Sequence, residues 1–290
     1  MKKIFYLATL VLVSISCKQA IYEAAEDEHA NYSSTSLAGD TTVHKLLING
    51  EHTYINEIGG IYYFAEDLTI TDEQFGKLLQ LTNTSLNTTE RATITTSLTS
   101  VWPNNTVYYS LPAQGSLNAA TYQTFLQNIQ NAFNLITAET SMQFVQRTNQ
   151  PEYIQFFHST GNNSPLGWSR NRVNRVNIYN WNSPAIIAHE VMHSMGIHHE
   201  QCRPDRNNYI IVDVTKAQSG TSINFNIAAG YAGNGTFDFN SVMMYSSTDF
   251  AINPSQPVMT RLDGSTFTKQ RSYLSTGDYA GINALYPATN

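Results

Sequence analysis

The chain has 290 residues, long enough for one large domain with a smaller additional segment. It carries 16 Lys and Arg residues against 22 Asp and Glu residues, a net charge of −6, and only 13% of its residues are charged. This balance excludes a basic nucleic-acid-binding surface and a polyanionic tail, so we expect no nucleic-acid partner.

The N-terminal sequence MKKIFYLATLVLVSISC predicts a secretory signal peptide over residues 1–17. A lysine pair precedes an apolar run of about a dozen residues, which is too short for a membrane span. The ending SISC resembles a lipoprotein signal, in which Cys17 becomes lipidated, although Ser14 stands where leucine is usual. Cleavage after Ala20 is the alternative. We therefore expect a secreted protein, or an outer-surface lipoprotein with a lipid anchor on Cys17.

Residues 18–91 predict a small segment ahead of the main domain. The stretch HKLLINGEHTYINEIGGIYYFAEDLTIT reads as strands joined by hairpins, and the tract LTNTSLNTTERA after it is too poor in apolar residues for a core. That tract is predicted to be an exposed linker, and Arg91 within it is a natural cleavage point. We therefore place a domain boundary between residues 91 and 92.

Residues 92–290 predict a mixed, α+β domain. Strand-like runs over Val107–Leu111, Tyr153–Phe157 and Val173–Tyr179 occur together with an amphipathic helix over Ala119–Thr137.

The stretch WNSPAIIAHEVMHSMG predicts a second helix, from about Pro184 to about Met195. Ser183 is a favourable N-cap, and proline is favoured at the first helical position. Ile187 and Val191 repeat at a spacing of four and are predicted to face the core, which directs the histidines of this helix toward a cleft.

The sequence HEVMHSMGIHHE, which starts at His189, has the spacing of a zinc site. On a helix, His189 and His193 lie one above the other and can bind the same ion. Glu190 lies about 100° round the helix, which places it beside the ion rather than among its ligands. Gly196 permits the positive φ that ends the helix, so that His199 can supply a third ligand.

Three imidazoles with an open fourth position are typical of catalytic zinc, here one Zn²⁺ per chain. Structural zinc is usually bound by four protein ligands, mostly cysteines, and this chain has only two cysteines. A structural zinc site is therefore the weaker interpretation.

These residues resemble the astacin branch of the metzincins. The histidine motif matches the long metzincin zinc motif, Glu200 directly follows the third histidine, and RPDRNNY comes after it. The sequence SVMMY at Ser241–Tyr245 is similar to the astacin Met-turn, and the resemblance covers roughly Ala92 to Asn290. It implies two subdomains around a cleft, with a twisted mixed sheet and the zinc helix above and a less regular C-terminal part below.

The resemblance implies a zinc endopeptidase that acts on protein or peptide substrates. The implied zinc ligands are His189, His193 and His199. Glu190 would be the general base and acid, Met243 a hydrophobic floor beneath the metal, and Tyr245 a movable extra ligand that later stabilises the oxyanion. The alternative is a catalytically silent zinc-binding surface protein used for adhesion. The intact Glu190 and Tyr245 argue against it, because a silent site needs no base.

The resemblance also implies a latent, monomeric proenzyme in which residues 18–91 are a propeptide, removed by an activating protease. The sequence LAGD, which ends at Asp40, resembles the family motif Phe-x-Gly-Asp, whose aspartate occupies the zinc. Leu37 replaces the phenylalanine of that motif. The thiolate of Cys17 is the alternative latency ligand.

Three further features bear on activation and substrate binding. The resemblance implies that Glu200 meets the new N-terminus after activation, and that LGWSR forms the cleft rim, where Trp168 and Ser169 bind an extended substrate. Arg261 is a candidate partner for an acidic substrate side chain, with a solvated surface charge as the alternative. The two disulfides usual in the family cannot form, because Cys202 is the only cysteine after residue 20.

Overall fold

The structure, a computed structural model, describes residues 31–37, 39–48, 50–82, 101–228 and 233–288. The predicted signal peptide, Cys17 and the linker with Arg91 lie outside the described residues. Within the described ranges, no helix has both the length and the hydropathy needed to cross a membrane.

The described chain is a mixture of short strands and helices, which confirms the α+β class. The strands are β1 (Tyr32–Ser36), β2 (Thr41–Ile48), β3 (Glu51–Ile58), β4 (Ile61–Ala65), β5 (Leu68–Ile70), β6 (Thr106–Ser110), β7 (Gln143–Gln146), β8 (Tyr153–His158), β9 (Ser164–Pro165), β10 (Val173–Ile178), β11 (Ile210–Val212) and β12 (Met259–Arg261). The α-helices are α1 (Asp72–Thr82), α2 (Ala119–Thr137), α3 (Pro184–Ser194) and α4 (Thr276–Leu285). All predicted strands and both predicted helices are present, with ends that differ from prediction by about one residue, which is within the usual uncertainty of element boundaries.

Residues 31–82, called the prosegment below, form an antiparallel meander of β1 to β5 followed by α1. The Gly59–Gly60 pair has positive φ at both residues and closes the β3–β4 hairpin, as a two-residue hairpin turn requires. Glu66 and Asp67 form the turn at the tip of the next hairpin, between β4 and β5. The prosegment therefore presents a carboxylate at a sharp, well-defined tip.

The larger domain is built on a parallel sheet with strand order β10-β8-β6-β7. Phe133 of α2 and Val191 of α3 lie in one buried cluster with Val107 of β6 and Ile154 of β8, so both helices pack on this core. Asn163 adds an antiparallel bridge to Asn177 at the β10 edge and leads into β9. The sheet is thus mixed at the edge that borders the cleft.

Strand β9 connects the two parts of the structure. It pairs in parallel with β5 and so becomes the sixth strand of the prosegment sheet. A six-stranded sheet that contains one strand of the larger domain anchors the prosegment firmly against the cleft.

The C-terminal part has little regular structure beyond the β11–β12 pair and α4. Two aromatic residues hold the end of the zinc-motif helix, Tyr286 from this part and Trp102 from the start of the larger domain. The Trp102 indole donates to the Ser194 carbonyl (2.7 Å), and the Tyr286 hydroxyl donates to the Met195 carbonyl (2.7 Å). These bonds satisfy helix-end carbonyls that would otherwise be buried without a donor.

Candidate metal centre and cleft

Helix α3 supplies two of the predicted zinc ligands. Its N-cap is Ser183, whose hydroxyl accepts the N–H of Ile186 (3.4 Å), and Pro184 occupies the first helical position, as predicted. Ile187 is fully buried on the core side. The rings of His189 and His193 consequently lie together on the cleft side, with centroids 4.7 Å apart.

The third histidine reaches the same point because the chain turns at Gly196, which has a φ of 95°. The His199 ring lies 4.7 Å from the His193 ring and 5.3 Å from the His189 ring. The Nε2 atoms of His189 and His199 are 3.4 Å apart. The structure therefore brings all three predicted ligands together.

Hydrogen bonds on the outer side of the rings orient these ligands. His189 Nδ1 donates to the Val242 carbonyl (2.9 Å), and His193 Nδ1 donates to the Ile197 carbonyl (2.8 Å). This tautomer turns the Nε2 lone pairs toward the shared centre, as zinc-binding histidines require. His193 Nε2 is buried and has no hydrogen-bond partner among the described residues, so a cation fits the donor set.

Burial also keeps two of these histidines, His189 and His193, neutral. It lowers the pKa of His189 to about 4 and holds the pKa of His193 well below its ordinary value. Neutral imidazole is the form that binds a metal ion.

Asp67 at the tip of the β4–β5 hairpin lies against the three histidines. Its Oδ2 is 3.2 Å from His199 Nε2 and 3.3 Å from His189 Nε2, and its Oδ1 is 4.0 Å from His193 Nε2. Burial acts to raise the pKa of Asp67, but the adjacent histidines outweigh it and hold that pKa well below its usual range. Asp67 and the histidines form a group that can hold one metal ion.

Asp40, the latency ligand predicted from the sequence, is not at this centre. It lies in the turn between β1 and β2, its side chain is exposed, and its carbonyl accepts the N–H of Gly59 (3.1 Å). The sequence contained a second match to the family motif, FAED at Phe64–Asp67, which keeps the phenylalanine and the aspartate but has Glu66 in place of glycine. Phe64 is buried and packs edge-on against His198 (5.0 Å), which positions the hairpin tip.

Glu190 lines the same cavity as Asp67. Its side chain is buried, and its Oε2 has no hydrogen-bond partner among the residues that the structure describes. Burial and then the charge of Asp67 raise the pKa of Glu190 well above its usual value. A carboxyl group in this environment is suited to accept and release a proton.

Tyr245 reaches this centre, and Met243 lies in the core beside the zinc-motif helix. The Tyr245 hydroxyl donates to Asp67 Oδ1 (3.3 Å), and its ring lies 4.6 Å from the His199 ring. Met243 is buried in the same core cluster as Val191 of α3. The phenol therefore contacts the carboxylate that lies on the histidines.

Glu200 is half-buried beside the site and already has partners. Its Oε1 accepts the N–H of Asp238 (2.7 Å) and a guanidinium N–H of Arg203 (3.1 Å). Burial outweighs these bonds and raises the pKa of Glu200 to about 7.

The cleft rim pairs with the prosegment through residues 164–166, which overlap the predicted segment LGWSR at Leu166. The Ser164 N–H donates to the Asp67 carbonyl (2.9 Å), and the Leu166 N–H donates to the Thr69 carbonyl (2.9 Å). Trp168, by contrast, is half-buried against the main core, and the Ser169 carbonyl accepts the N–H of a residue in the following turn. The prosegment is thus held by residues 164–166 rather than by Trp168 and Ser169.

Hydrogen bonds stabilise this rim in the absence of a disulfide. The Arg172 guanidinium donates to the carbonyls of Leu166 (3.1 Å) and Gly167, and the Asn174 amide also donates to the Gly167 carbonyl (2.9 Å). The Gly167 N–H donates to the His193 carbonyl (2.9 Å), which ties the rim to the zinc-motif helix. Cys202 is buried in the same apolar cluster as Leu166, close to His199, and burial raises the pKa of its thiol to about 12.

The cleft is a cavity of about 850 Å³ that contains two cationic side chains, Lys269 and Arg271. Arg271 donates to the carbonyls of Met244 (2.9 Å) and Gln270 (2.8 Å), and no ion pair joins it to a carboxylate in the described part of the chain. Arg261, the candidate predicted from sequence, lies instead over the Phe239 ring (3.7 Å). Sequence reasoning missed Arg271 because QRSY carries no motif that marks a cleft residue.

Comparison with known proteins identifies relatives for both parts of the chain. The family model described as Astacin, a peptidase family, matches residues 94–287. Flavastacin of Elizabethkingia meningoseptica is 59% identical over 281 residues, which cover 97% of this chain and 63% of flavastacin. This chain therefore spans less than two thirds of the length of that relative.

More distant relatives match the larger domain. The meprin A subunit beta of Mus musculus is 30% identical over 194 residues, covering 65% of this chain and 27% of the meprin subunit. Among solved structures, high choriolytic enzyme 1, a hatching enzyme zinc-protease from Oryzias latipes, superposes with a TM-score of 0.58 at 25% identity. That match covers 66% of this chain and 94% of the hatching enzyme chain.

Proposed function

This chain belongs to the astacin family of zinc-dependent peptidases, and we propose that it is a secreted endopeptidase made as a latent proenzyme. The observation that carries the proposal is the Asp67 carboxylate, which lies against the three zinc-motif histidines and the Tyr245 hydroxyl. A donor set built for a metal, closed by an acid from another part of the chain, is expected of an inhibited hydrolase. The N-terminal signal sequence supports secretion.

His189, His193 and His199 would hold the zinc ion. When bound, zinc supplies a Lewis acid that lowers the pKa of water and polarises a peptide carbonyl. Glu190 then takes the proton of the attacking water and passes it to the leaving amine. The Tyr245 hydroxyl, once released from Asp67, donates to the oxygen of the scissile carbonyl as negative charge develops there.

In the proenzyme, Asp67 keeps both Glu190 and the Tyr245 hydroxyl from acting in catalysis. Its carboxylate accepts the Tyr245 hydroxyl, and its charge contributes to the raised pKa of Glu190, which disfavours the base form. Withdrawal of the β4–β5 hairpin would free the hydroxyl and remove that charge. Activation thus changes the protonation of the base and the availability of the oxyanion donor together.

We place activation at the linker near Arg91, which an activating protease would cut. The raised pKa of the half-buried Glu200 supports this, because a carboxylate that partial burial disfavours gains from a nearby ammonium group such as a new N-terminus. Neither the cleavage site nor the lipidation of Cys17 involves described residues.

The cleft favours substrates with an acidic side chain near the scissile bond. Arg271 is a half-buried cation bonded to backbone carbonyls, and a partly desolvated guanidinium gains from a bound carboxylate. Glu66 of the prosegment lines this cavity, and Lys269 opposes the rise in its pKa that partial burial causes. An acidic residue beside the bond that is cut would lie near the same cationic side chains.

The test compares the purified chain before and after limited proteolysis near Arg91. Zinc content and hydrolysis of an unfolded protein are measured with and without a chelator. We expect one zinc per chain in both forms, and hydrolysis that appears only after cleavage and disappears with chelation. One equivalent of zinc with no hydrolysis in either form would instead support the silent zinc-binding protein.

A further inference from the structure

The prosegment shows which groups of the larger domain bind peptide main chain inside the cleft. Two are rim amides, Ser164 and Leu166, which donate to prosegment carbonyls. The third comes from a different wall, where the Asn224 Oδ1 accepts the N–H of Glu66 (2.8 Å). Glu66 precedes the residue that lies on the zinc-motif histidines, so this contact is one residue from the reacting centre.

The Asn224 carboxamide is oriented before anything binds to it. Its Nδ2 donates to the Thr221 carbonyl (3.1 Å), which fixes Oδ1 as the atom that faces the cleft. Its backbone carbonyl accepts the Gln201 amide (3.3 Å) and the Cys202 thiol (3.5 Å). Asn224 is only 1% exposed, so both its side chain and its backbone are held in place.

Removal of the prosegment takes the Glu66 N–H away from this oxygen. Asn224 lines the same cavity as Glu190 and Tyr245, so the acceptor then faces the space in which a substrate must lie. A peptide substrate carries a donor at nearly every residue, so one of its N–H groups can replace that of Glu66 on this oxygen.

We propose that Asn224 is a substrate-binding residue, whose carboxamide oxygen accepts a main-chain N–H of the peptide beside the scissile bond. This inference rests on the endopeptidase function proposed above. Because the contact is with main chain, it holds the substrate without selecting its side chains. The Asn224 contact with main chain complements Arg271, which is proposed above to bind a side-chain carboxylate of the substrate.

A neighbouring asparagine provides a matched control. Asn226 Oδ1 accepts the Tyr54 N–H (3.0 Å), and its Nδ2 donates to the Tyr54 carbonyl (2.6 Å). Tyr54 belongs to β3, two strands away from β5 in the prosegment sheet. The Asn226 amide therefore anchors the prosegment and is not directed at the residue next to Asp67.

The experiment measures kcat and KM of the activated enzyme on a peptide substrate and on a series in which single backbone amides near the scissile bond are replaced by esters. The scissile amide itself is kept. We expect Asn224→Ala to lower kcat/KM about threefold to tenfold, chiefly through KM, which is the range for one lost hydrogen bond. Asn226→Ala should leave kcat/KM of the activated enzyme at the wild-type value.

The ester series decides whether the contact is direct. At one position the wild-type enzyme should lose a similar factor, and Asn224→Ala should lose nothing further there. Equal losses by Asn224→Ala on every ester, or no loss on the parent peptide, would overturn the inference while leaving the endopeptidase function intact. No hydrolysis by the activated wild-type protein would overturn both.

If Asn224→Ala does not fold, Asn224→Ser replaces it as the test variant in the same measurements. Independently of either variant, a wild-type enzyme that is insensitive to every ester replacement overturns the inference.

Discussion

The identity of the latency ligand is the sharpest quantitative prediction. Asp67→Ala removes a carboxylate that contacts His189, His199 and the Tyr245 hydroxyl at 3.2–3.4 Å. The rest of the prosegment keeps its sheet with β9 and its bonds to Asn226, but the tip of the β4–β5 hairpin loses its contacts with the histidines and leaves the centre more readily.

The magnitude follows from the environment of the carboxylate. Removal of one partner from a buried charge cluster costs roughly 3–5 kcal/mol. The Asp67 side chain is 17% exposed, which favours the lower end of that range. At 1.4 kcal/mol per factor of ten, about 3 kcal/mol shifts the equilibrium between blocked and open sites about 100-fold.

The assay is hydrolysis of a short peptide by the uncut, zinc-loaded proenzyme, with intact mass measured before and after to show that the linker is whole. We expect uncut Asp67→Ala to be about 100-fold more active than the uncut wild type. Asp40→Ala is the matched control and should remain as latent as the wild type, because its side chain is exposed in the β1–β2 turn. A latent Asp67→Ala protein, or an active Asp40→Ala protein, would refute the reasoning.

Three further variants test the cleft. Glu190→Gln should bind zinc as the wild type does and lose at least about 10²-fold in kcat after activation; a zinc-loaded and active variant would contradict its role as the base. Tyr245→Phe should lower kcat about 10²-fold with unchanged zinc content, and an unchanged kcat would show that its hydroxyl does not stabilise the oxyanion. Arg172→Met should lower stability by about 1–3 kcal/mol and raise KM, because two rim carbonyls each lose one of their donors, with Arg172→Lys intermediate; an unaltered melting curve and KM would contradict the role of Arg172 in the rim.

Much of the metal centre was predictable because its determinants are local. The spacing of His189 and His193 places both on one helix face, and the Ser183–Pro184 start and the Gly196 turn bound that helix. The helical repeat and one residue in the left-handed conformation are enough to predict where the histidines lie relative to one another. These features hold whatever the rest of the chain does.

Whether Asp40 or Asp67 reaches the histidines could not be predicted from short stretches of sequence. Both residues lie in turns of the prosegment meander, and each matches part of the same short motif. Only the order and register of the sheet decide which turn reaches the histidines, and the pairing of β5 with β9 involves residues almost a hundred positions apart. The same long-range pairing placed residues 164–166, rather than Trp168 and Ser169, against the prosegment.

The sequence by itself determined the fold class, the zinc-motif helix, the three histidines and Glu190, because helical periodicity and chain-turning residues act over a few positions. Tertiary structure alone decided which acid closes the centre and which cation and amide, Arg271 and Asn224, line the cleft. Those side chains come from segments whose positions are set by packing and hydrogen bonds between distant parts of the chain, and no short-range pattern encodes such distances.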